Sequence, residues 1–197
     1  MLLPGHGTRV GDLARTNWSQ WVAATGAALA EMQRQCRKVA VVGYSLGGTL
    51  ALYAAATAPR PPQCLVTLAA AVELADRRAP LARWVSPLVR YLPAARVDGS
   101  VAGYDTLPVR SVAETLALTA ATRRQLPGLD TPLLVVQGER DDVVHPRSAA
   151  IIRELVPRAQ VRLLPGAGHS LLAGEVAEQV RRLTTEFITG SLGMAPC

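Results

Sequence analysis

Long apolar runs, cysteine pairs and aromatic side chains are all scarce in this 197-residue chain. Arginine, proline or glycine interrupts each apolar run within about a dozen residues, which predicts no transmembrane segment and no stable membrane insertion. The N-terminus lacks the basic and long apolar regions of a signal peptide. The three cysteines, Cys36, Cys64 and Cys197, form no Cys-x-x-Cys or Cys/His pattern. We therefore expect no disulfide framework and no metal site, and a reduced, cytoplasmic protein.

Lysine is also nearly absent, because Lys38 is the only one, and arginine supplies most of the net charge of +6. The arginines are scattered along predicted helices beside acidic or apolar neighbours. No basic stripe with interleaved aromatic residues is present, and such a stripe is typical of nucleic-acid binding. The sequence therefore predicts no nucleic-acid partner.

What the chain does have is apolar content, at 49% of residues, and an alternation of strand and helix patterns. Strands are predicted at residues 38–43, 63–69, 131–138 and 161–166. Helices are predicted at 17–35, 46–57 and 149–155, followed by a last helix that ends near Gly190. The helix at 17–35 is expected to pack on the sheet. This order predicts a single α/β domain with a mostly parallel sheet flanked by helices.

Residues 72–128 break the alternation. They contain several prolines and no convincing strand, and their apolar residues recur at helical spacing. The first set is Leu81, Trp84, Val85, Leu88 and Leu92, and the second is Val109, Val112 and Leu116. We interpret the segment as a helical insertion. It is either an extra packing layer or a cap whose apolar faces receive an acyl chain, and its position between sheet strands favours the cap.

The most informative motif is Gly43-Tyr44-Ser45-Leu46-Gly47, between a β-branched strand and an alanine-rich helix. This is the sequence form of a nucleophile elbow, a strained turn that exposes a serine hydroxyl at a sheet edge. Gly43 and Gly47 are expected at positions where side chains would collide. Ser45 is the candidate nucleophile, and the Leu46 N–H, at the start of the helix, is a candidate oxyanion donor.

A serine hydroxyl needs a base, and the base needs an orienting acid. Of the three histidines, His169 follows the last predicted strand, where functional groups gather in a parallel sheet. Three carboxylates follow the preceding strand, and spacing does not choose between them: Glu139, Asp141 and Asp142.

Four motifs in order resemble the carboxylesterase and monoacylglycerol-lipase-like branch of the α/β-hydrolase superfamily. They are Pro4-Gly5-His6-Gly7, the elbow, Gly138-Glu139-Arg140-Asp141-Asp142-Val143-Val144 and Gly168-His169. The resemblance implies an α/β-hydrolase fold with a small helical cap. It also implies Asp141 as the triad acid, with Asp142 as the fallback, and His169 as the base. On the same basis His6 is a structural residue of its turn, and His145 is a solvated loop histidine.

The resemblance also implies further strands before the Pro-Gly-His-Gly loop, and a His-Gly loop that supplies a second oxyanion donor. Because this sequence begins at the former loop, we expect an N-terminally truncated member of the superfamily. The strand at 38–43 would then be an exposed apolar edge, able to pair with another chain or a second copy. Loss of one oxyanion donor typically costs about a hundred- to thousand-fold in rate.

The expected function is hydrolysis of carboxylic esters, either short- to medium-chain acyl esters or monoacylglycerols, through an acyl-enzyme and without a cofactor. Two alternatives remain open. One is a catalytically impaired or non-catalytic fragment with the same fold. The other is a thioesterase or acyltransferase, because the same triad serves a different acceptor.

Overall fold

The computed structural model describes residues 1–93 and 104–193. Cys197 and part of the predicted insertion, residues 94–103, lie outside the described residues. The strands are β1 (Ala40–Tyr44), β2 (Cys64–Leu68), β3 (Tyr91–Pro93), β4 (Thr106–Pro108), β5 (Leu133–Gly138) and β6 (Gln160–Leu164). The helices are α1 (Val10–Arg15), α2 (Trp18–Gln35), α3 (Leu46–Thr57), α4 (Ala82–Val85), α5 (Val109–Gln125), α6 (Arg147–Leu155) and α7 (Val176–Leu192).

The centre of the fold is a parallel sheet in the order β1-β2-β5-β6. Strands β2 and β5 are buried along their whole length, as expected for continuous apolar runs covered on both faces. Side chains alternate between the two faces: Leu65 and Val135 pack with helices α3 and α6, whereas Val66 and Val136 pack with α7. The predicted α/β architecture is therefore confirmed. In the described part of the chain, no helix has the length and apolar character needed to cross a bilayer.

Helix α2 lies where the sequence predicted a helix, but its packing differs from the expectation. It contacts α3 and α5 rather than lying mainly on the sheet. Its buried residues are Trp21 and Leu29, and Trp21 joins a cluster with Leu50 of α3 and Leu118 of α5. The spacing of apolar residues predicted a buried face on this helix, but it did not identify the elements against which that face packs.

The insertion contains two strands that the sequence analysis did not predict. Strands β3 and β4 pair antiparallel, with Leu92 opposite Leu107. Each strand has only three residues, which is too short for a periodic pattern to show, and their pairing depends on a contact distant in sequence. Helices α4 and α5 are present, as expected for a mainly helical segment.

The apolar set at the start of the insertion faces solvent. Leu81, Trp84, Val85, Leu88 and Leu92 are 37–87% exposed, with Leu88 at 87%. Ala82 is the buried residue of α4, and that helix packs against α5. The predicted helical spacing therefore marks an outward face, and other residues of the insertion face the protein.

Strand β1 is an edge of the sheet within the described residues, because it pairs only with β2. Val42 on this strand is 47% exposed. Pairing of this edge with another chain, or a homo-oligomer formed through it, stays a prediction.

The glycines around Ser45 allow β1 and α3 to approach closely. A Cβ on Gly43 would lie 2.7 Å from both the Gly47 carbonyl carbon and Gly48 Cα, and a Cβ on Gly48 would lie 2.9 Å from Ala70 Cβ. A Cβ on Gly47 would have no atom within 4 Å. The prediction of a collision at Gly47 is therefore wrong. Its side-chain position points to open space, and the tight contact falls on Gly48.

The two glycines of the motif provide a matched pair of variants. We expect Gly43→Ala to lower the free energy of unfolding by about 1–3 kcal/mol or more, because backbone atoms must move to admit the Cβ. Gly47→Ala should stay within about 1 kcal/mol of the parent, because the added methyl meets open space and alanine favours helix. Urea denaturation followed by circular dichroism measures both. Equal stabilities of the two variants would contradict this account of the turn.

Candidate functional site

Ser45 lies between β1 and α3 in a backbone conformation that is unusual for a residue other than glycine. Its φ is 53° and its ψ is −121°. Such a conformation costs about 1–3 kcal/mol and persists only where neighbours hold it. Here the Ser45 N–H donates to Leu68 O at 2.8 Å, and Ser45 O accepts from Gly48 N at 2.9 Å and Ala71 N at 3.3 Å. The end of β2 and the first turn of α3 therefore fix the serine at the carboxyl edge of the sheet.

The loops after β5 and β6 bring Asp141 and His169 to the same edge. His169 Nδ1 lies 2.8 Å from Asp141 Oδ2, and His169 Nε2 lies 3.1 Å from Ser45 Oγ. An ionised carboxylate only accepts hydrogen bonds, so Nδ1 carries the proton. The Nε2 lone pair is then free to accept from the serine hydroxyl. His169 is 6% exposed, whereas Ser45 is half-buried and reachable from solvent.

Asp141 is a buried carboxyl that accepts four hydrogen bonds. Oδ2 accepts from His169 Nδ1 and from Gln137 Nε2 at 2.9 Å, and Oδ1 accepts from the N–H groups of Val143 at 3.0 Å and Val144 at 2.8 Å. Burial acts to raise the pKa of Asp141. The bonds from His169, Val144 and Val143, with the charge of His169, outweigh that effect and hold the pKa below its ordinary value.

Close backbone contact joins the acid loop to the histidine loop. Arg140 N donates to Ala167 O at 2.9 Å, and Glu139 N donates to Leu164 O at 3.1 Å. A Cβ on Gly138 would lie 2.9 Å from the Ala167 carbonyl carbon. Glycine at 138 therefore lets the two loops approach closely enough for the acid and the imidazole to meet.

Gln137 is a site residue that the sequence analysis missed. It is 1% exposed and lies in β5, a strand otherwise made of apolar residues and glycine. Its amide donates to the same carboxylate oxygen as the imidazole. A buried amide needs a hydrogen-bond partner, so a glutamine within an apolar strand just before the acid loop was a usable signal.

Tyr44 is a second residue that the sequence analysis did not single out. Its hydroxyl donates to His169 O at 3.1 Å, and its ring lies 5.2 Å from the imidazole centroid at a 33° tilt. Burial, and secondly the charge of Asp141, raises the pKa of the Tyr44 hydroxyl. This residue before the serine therefore contacts both the backbone and the ring of His169.

The remaining candidates lie away from this cluster. Asp142 and His145 are exposed, as is Glu139, and His145 Nδ1 accepts from Arg147 N at 3.1 Å. His6 Nδ1 lies 3.2 Å from Pro4 O. The His6 ring packs edge-on against the Trp21 ring. The described residues hold no group of three His, Cys, Asp or Glu side chains suited to a metal ion. The expected absence of metals and cofactors stays a prediction.

Leu46 is the first residue of α3, one position after the serine. The first N–H groups of a helix have no partner within the helix and carry partial positive charge. Among the described residues, the Leu46 N–H donates to no protein acceptor. It is therefore available to an oxygen atom placed beside Ser45.

A cavity of about 550 Å³ lies between residues 72–80 and helix α5. It is lined by six apolar residues, Val72, Leu74, Ala79, Pro80, Leu116 and Ala120, and by the polar or charged residues Glu73, Asp76, Arg77, Thr119 and Arg123. Neither Ser45 nor His169 lines it; the link to the serine turn is through Val72, which follows Ala71, whose N–H donates to Ser45 O. The predicted insertion thus contributes the lining residues of this cavity.

The buried carboxylate predicts a pH-dependent difference in stability between the parent and Asp141→Asn. Because the folded pKa is lowered, the stabilisation by Asp141 is present above about pH 4 and is lost as pH falls through the folded value. We expect the urea midpoints of parent and variant to differ at about pH 6 and to converge as pH falls below about 4. Asp142→Asn is the control, because that exposed carboxyl has none of these hydrogen bonds. A difference in urea midpoint between the parent and Asp141→Asn that is the same at every pH would contradict the lowered pKa of Asp141 in the folded protein.

Comparisons with known proteins agree with this architecture. A family model described as the alpha/beta hydrolase family matches residues 2–183. The chain is 32% identical over 156 residues to the thermostable monoacylglycerol lipase of Bacillus sp. strain H-257, and 26% identical over 163 residues to the serine hydrolase BPHL of Mus musculus. These matches cover 76% and 78% of this chain, but only 61% and 56% of the two relatives.

A solved structure of the metagenome-derived lipolytic enzymes LipS and LipT superposes with a TM-score of 0.86 at 23% identity. The superposition covers 95% of this chain and 80% of that one, and it demonstrates the shared fold. Together with the family match over most of the sequence, these findings show that the chain belongs to the alpha/beta hydrolase family.

Proposed function

We propose that this protein is a serine hydrolase that cleaves carboxylic esters through an acyl-enzyme intermediate. The observation that carries the proposal is the unbroken line from Asp141 through His169 to Ser45, with contacts of 2.8 Å and 3.1 Å. These are hydrogen-bond distances of the kind that activate a serine hydroxyl. The relative named a monoacylglycerol lipase adds support for an ester substrate.

In the first half of the reaction, Ser45 Oγ attacks the ester carbonyl carbon while His169 Nε2 takes the hydroxyl proton. The Asp141 carboxylate accepts a hydrogen bond from the Nδ1–H, without taking the proton, and stabilises the imidazolium that forms. The Leu46 N–H donates to the oxyanion of the tetrahedral intermediate. Collapse of this intermediate breaks the bond to the alcohol, which leaves with the proton from His169.

In the second half, water replaces the alcohol. His169 Nε2 takes a proton from the water as its oxygen attacks the acyl carbon bound to Ser45. A second tetrahedral intermediate forms and collapses, and the proton returns to Ser45 Oγ. The products are a carboxylic acid and the free enzyme, and no cofactor enters the cycle.

We assign the cavity between residues 72–80 and α5 to the acyl chain. The six apolar residues of its lining, and its link to the serine turn through Val72, support a short- to medium-chain acyl group, of an alkyl ester or a monoacylglycerol. The volume of about 550 Å³ is within the usual range of small-molecule sites. On this proposal the insertion acts as a cap that contributes to selectivity.

Covalent labelling with a fluorophosphonate tests the nucleophile directly. We expect the parent chain to be labelled and Ser45→Ala and His169→Ala to be unlabelled, with ester hydrolysis reduced about 10⁴-fold or more in both. His145→Ala is the matched control, because that histidine is exposed and its ring accepts from Arg147 N rather than contacting Ser45. A soluble, folded parent that is neither labelled nor active would instead support the non-catalytic alternative.

Acyl-chain selectivity tests the role of the cavity. Ala120→Trp should fill part of it and lower kcat/KM for octanoyl esters about tenfold or more relative to acetyl esters, because the longer chain needs the occupied space. Ala117→Trp on the same helix is the control, since Ala117 is exposed and does not line the cavity. An equal effect on kcat/KM for both esters would contradict the assignment of this cavity to the acyl chain.

Thioester substrates and alcohol acceptors, assayed in parallel, distinguish the thioesterase and acyltransferase alternatives.

A further inference from the structure

Gln137 is a buried amide near the end of an apolar strand. It is 1% exposed and lies in β5. Because side chains alternate along a strand, Gln137 shares a face with Leu133 and Val135, which belong to the apolar core. Burying an amide on such a face costs free energy unless hydrogen bonds replace the lost water. The partners of this side chain therefore indicate its role.

The amide nitrogen of Gln137 points to the acid of the proposed triad. Gln137 Nε2 lies 2.9 Å from Asp141 Oδ2 and 3.4 Å from Gly138 O. Both neighbours are acceptors, so the nitrogen rather than the oxygen of the amide faces them. A hydrogen bond to a carboxylate is roughly twice as strong as one between neutral groups. Asp141 is therefore the principal partner of the amide.

The Gln137 bond belongs to an ordered set of donors around the carboxylate. Oδ1 of Asp141 accepts from the N–H groups of Val143 and Val144 in its own loop. Oδ2 accepts from two side chains, the imidazole of His169 at 2.8 Å and the amide of Gln137. Of these four donors, the Gln137 amide is the one carried by a strand of the sheet. It fixes Oδ2 relative to β5, whereas the loop fixes Oδ1.

Two donors share Oδ2, which divides the negative charge of this oxygen between the imidazole and the amide. A carboxylate with one donor fewer directs more of its charge at the imidazole and holds the imidazolium more strongly. The Tyr44 hydroxyl also faces this carboxylate, and its pKa is raised by burial and secondly by the charge of Asp141. The other charged residues of the acid loop are exposed: Glu139, Arg140 and Asp142.

We propose that Gln137 is a positioning residue for catalysis. Its amide holds Asp141 Oδ2 where the Nδ1–H of His169 donates, and it limits how strongly that oxygen holds the imidazolium. Gln137 acts through Asp141 rather than on the substrate. The inference rests on the proposed function, because a positioning role requires that Asp141 and His169 take part in ester hydrolysis.

The kinetics of Gln137→Met test this role, since methionine has a similar length and no hydrogen-bond donor of this kind. We expect kcat for a p-nitrophenyl acyl ester to fall about 10- to 100-fold, the equivalent of one hydrogen bond to a charged group. KM should stay within about twofold, because substrate binding is not altered. The acidic limb of the pH profile of kcat/KM should move to higher pH by about half a unit, because the carboxylate then holds the imidazolium more strongly.

Thr67→Val is the matched control. Thr67 is buried in β2 beside Val135 of β5, and its hydroxyl has no hydrogen-bond partner among the described residues. This variant also replaces a buried polar group on the sheet with an apolar one, so kcat, KM and the acidic limb should match those of the parent. Circular dichroism and urea denaturation check that each variant is folded. Gln137→Leu repeats the test with a second apolar side chain.

A double-mutant cycle separates positioning from a general effect on packing. If Gln137 acts through Asp141, the loss caused by Gln137→Met should shrink to less than about twofold in an Asp141→Ala background, measured as the rate of fluorophosphonate labelling. An equal loss in both backgrounds would overturn the proposal. So would a folded Gln137→Met or Gln137→Leu variant with the kcat and pH profile of the parent. A folded parent that is neither active nor labelled would instead refute the hydrolase function itself, and this inference with it.

Discussion

The Asp141 carboxylate is buried, and a buried charge is tolerated only where hydrogen bonds replace the water it has lost. Four donors do so here: the amide of Gln137, the N–H groups of Val143 and Val144, and the imidazole of His169. Meeting this requirement fixes the turn after β5 and the orientation of the imidazole together. In this orientation the imidazole Nε2 lies 3.1 Å from Ser45 Oγ.

The serine is held by backbone rather than by side chains. Its positive φ is maintained by hydrogen bonds to Leu68 O and from Ala71 N. Ala69, between them, also has a positive φ of 48°. Two strained residues thus face each other across the ends of β1 and β2. Thr49 and Thr119 add hydroxyl hydrogen bonds to Ala71 O, which connects this strained region to helix α5 of the insertion.

The insertion has two surfaces of different character. Toward the protein, Leu116, Ala120 and Pro80 line the cavity near the serine turn. Toward solvent, residues 81–92 expose leucine and tryptophan side chains among arginines. Both surfaces combine apolar and charged side chains, so hydropathy does not distinguish them.

The sequence by itself determined the order of the main elements and the local form of the elbow. Helix α3 spans residues 46–57 as predicted, and each main strand lies within a few residues of its prediction. These features depend on local helix and strand propensity, on apolar runs, and on the glycine and proline residues that interrupt them. The order of serine, acid loop and histidine was also readable, because the ends of parallel strands share one edge.

Only the tertiary structure decided which groups meet. Residue types and spacing left Glu139, Asp141 and Asp142 open, and the turn after β5 buries only Asp141, beside His169. The Gln137 and Tyr44 hydrogen bonds, the β3–β4 pairing and the outward direction of Leu88 likewise depend on contacts between residues distant in sequence, or on burial. A local pattern records which residues can share a face. It does not record what that face meets, because its neighbours come from elsewhere in the chain.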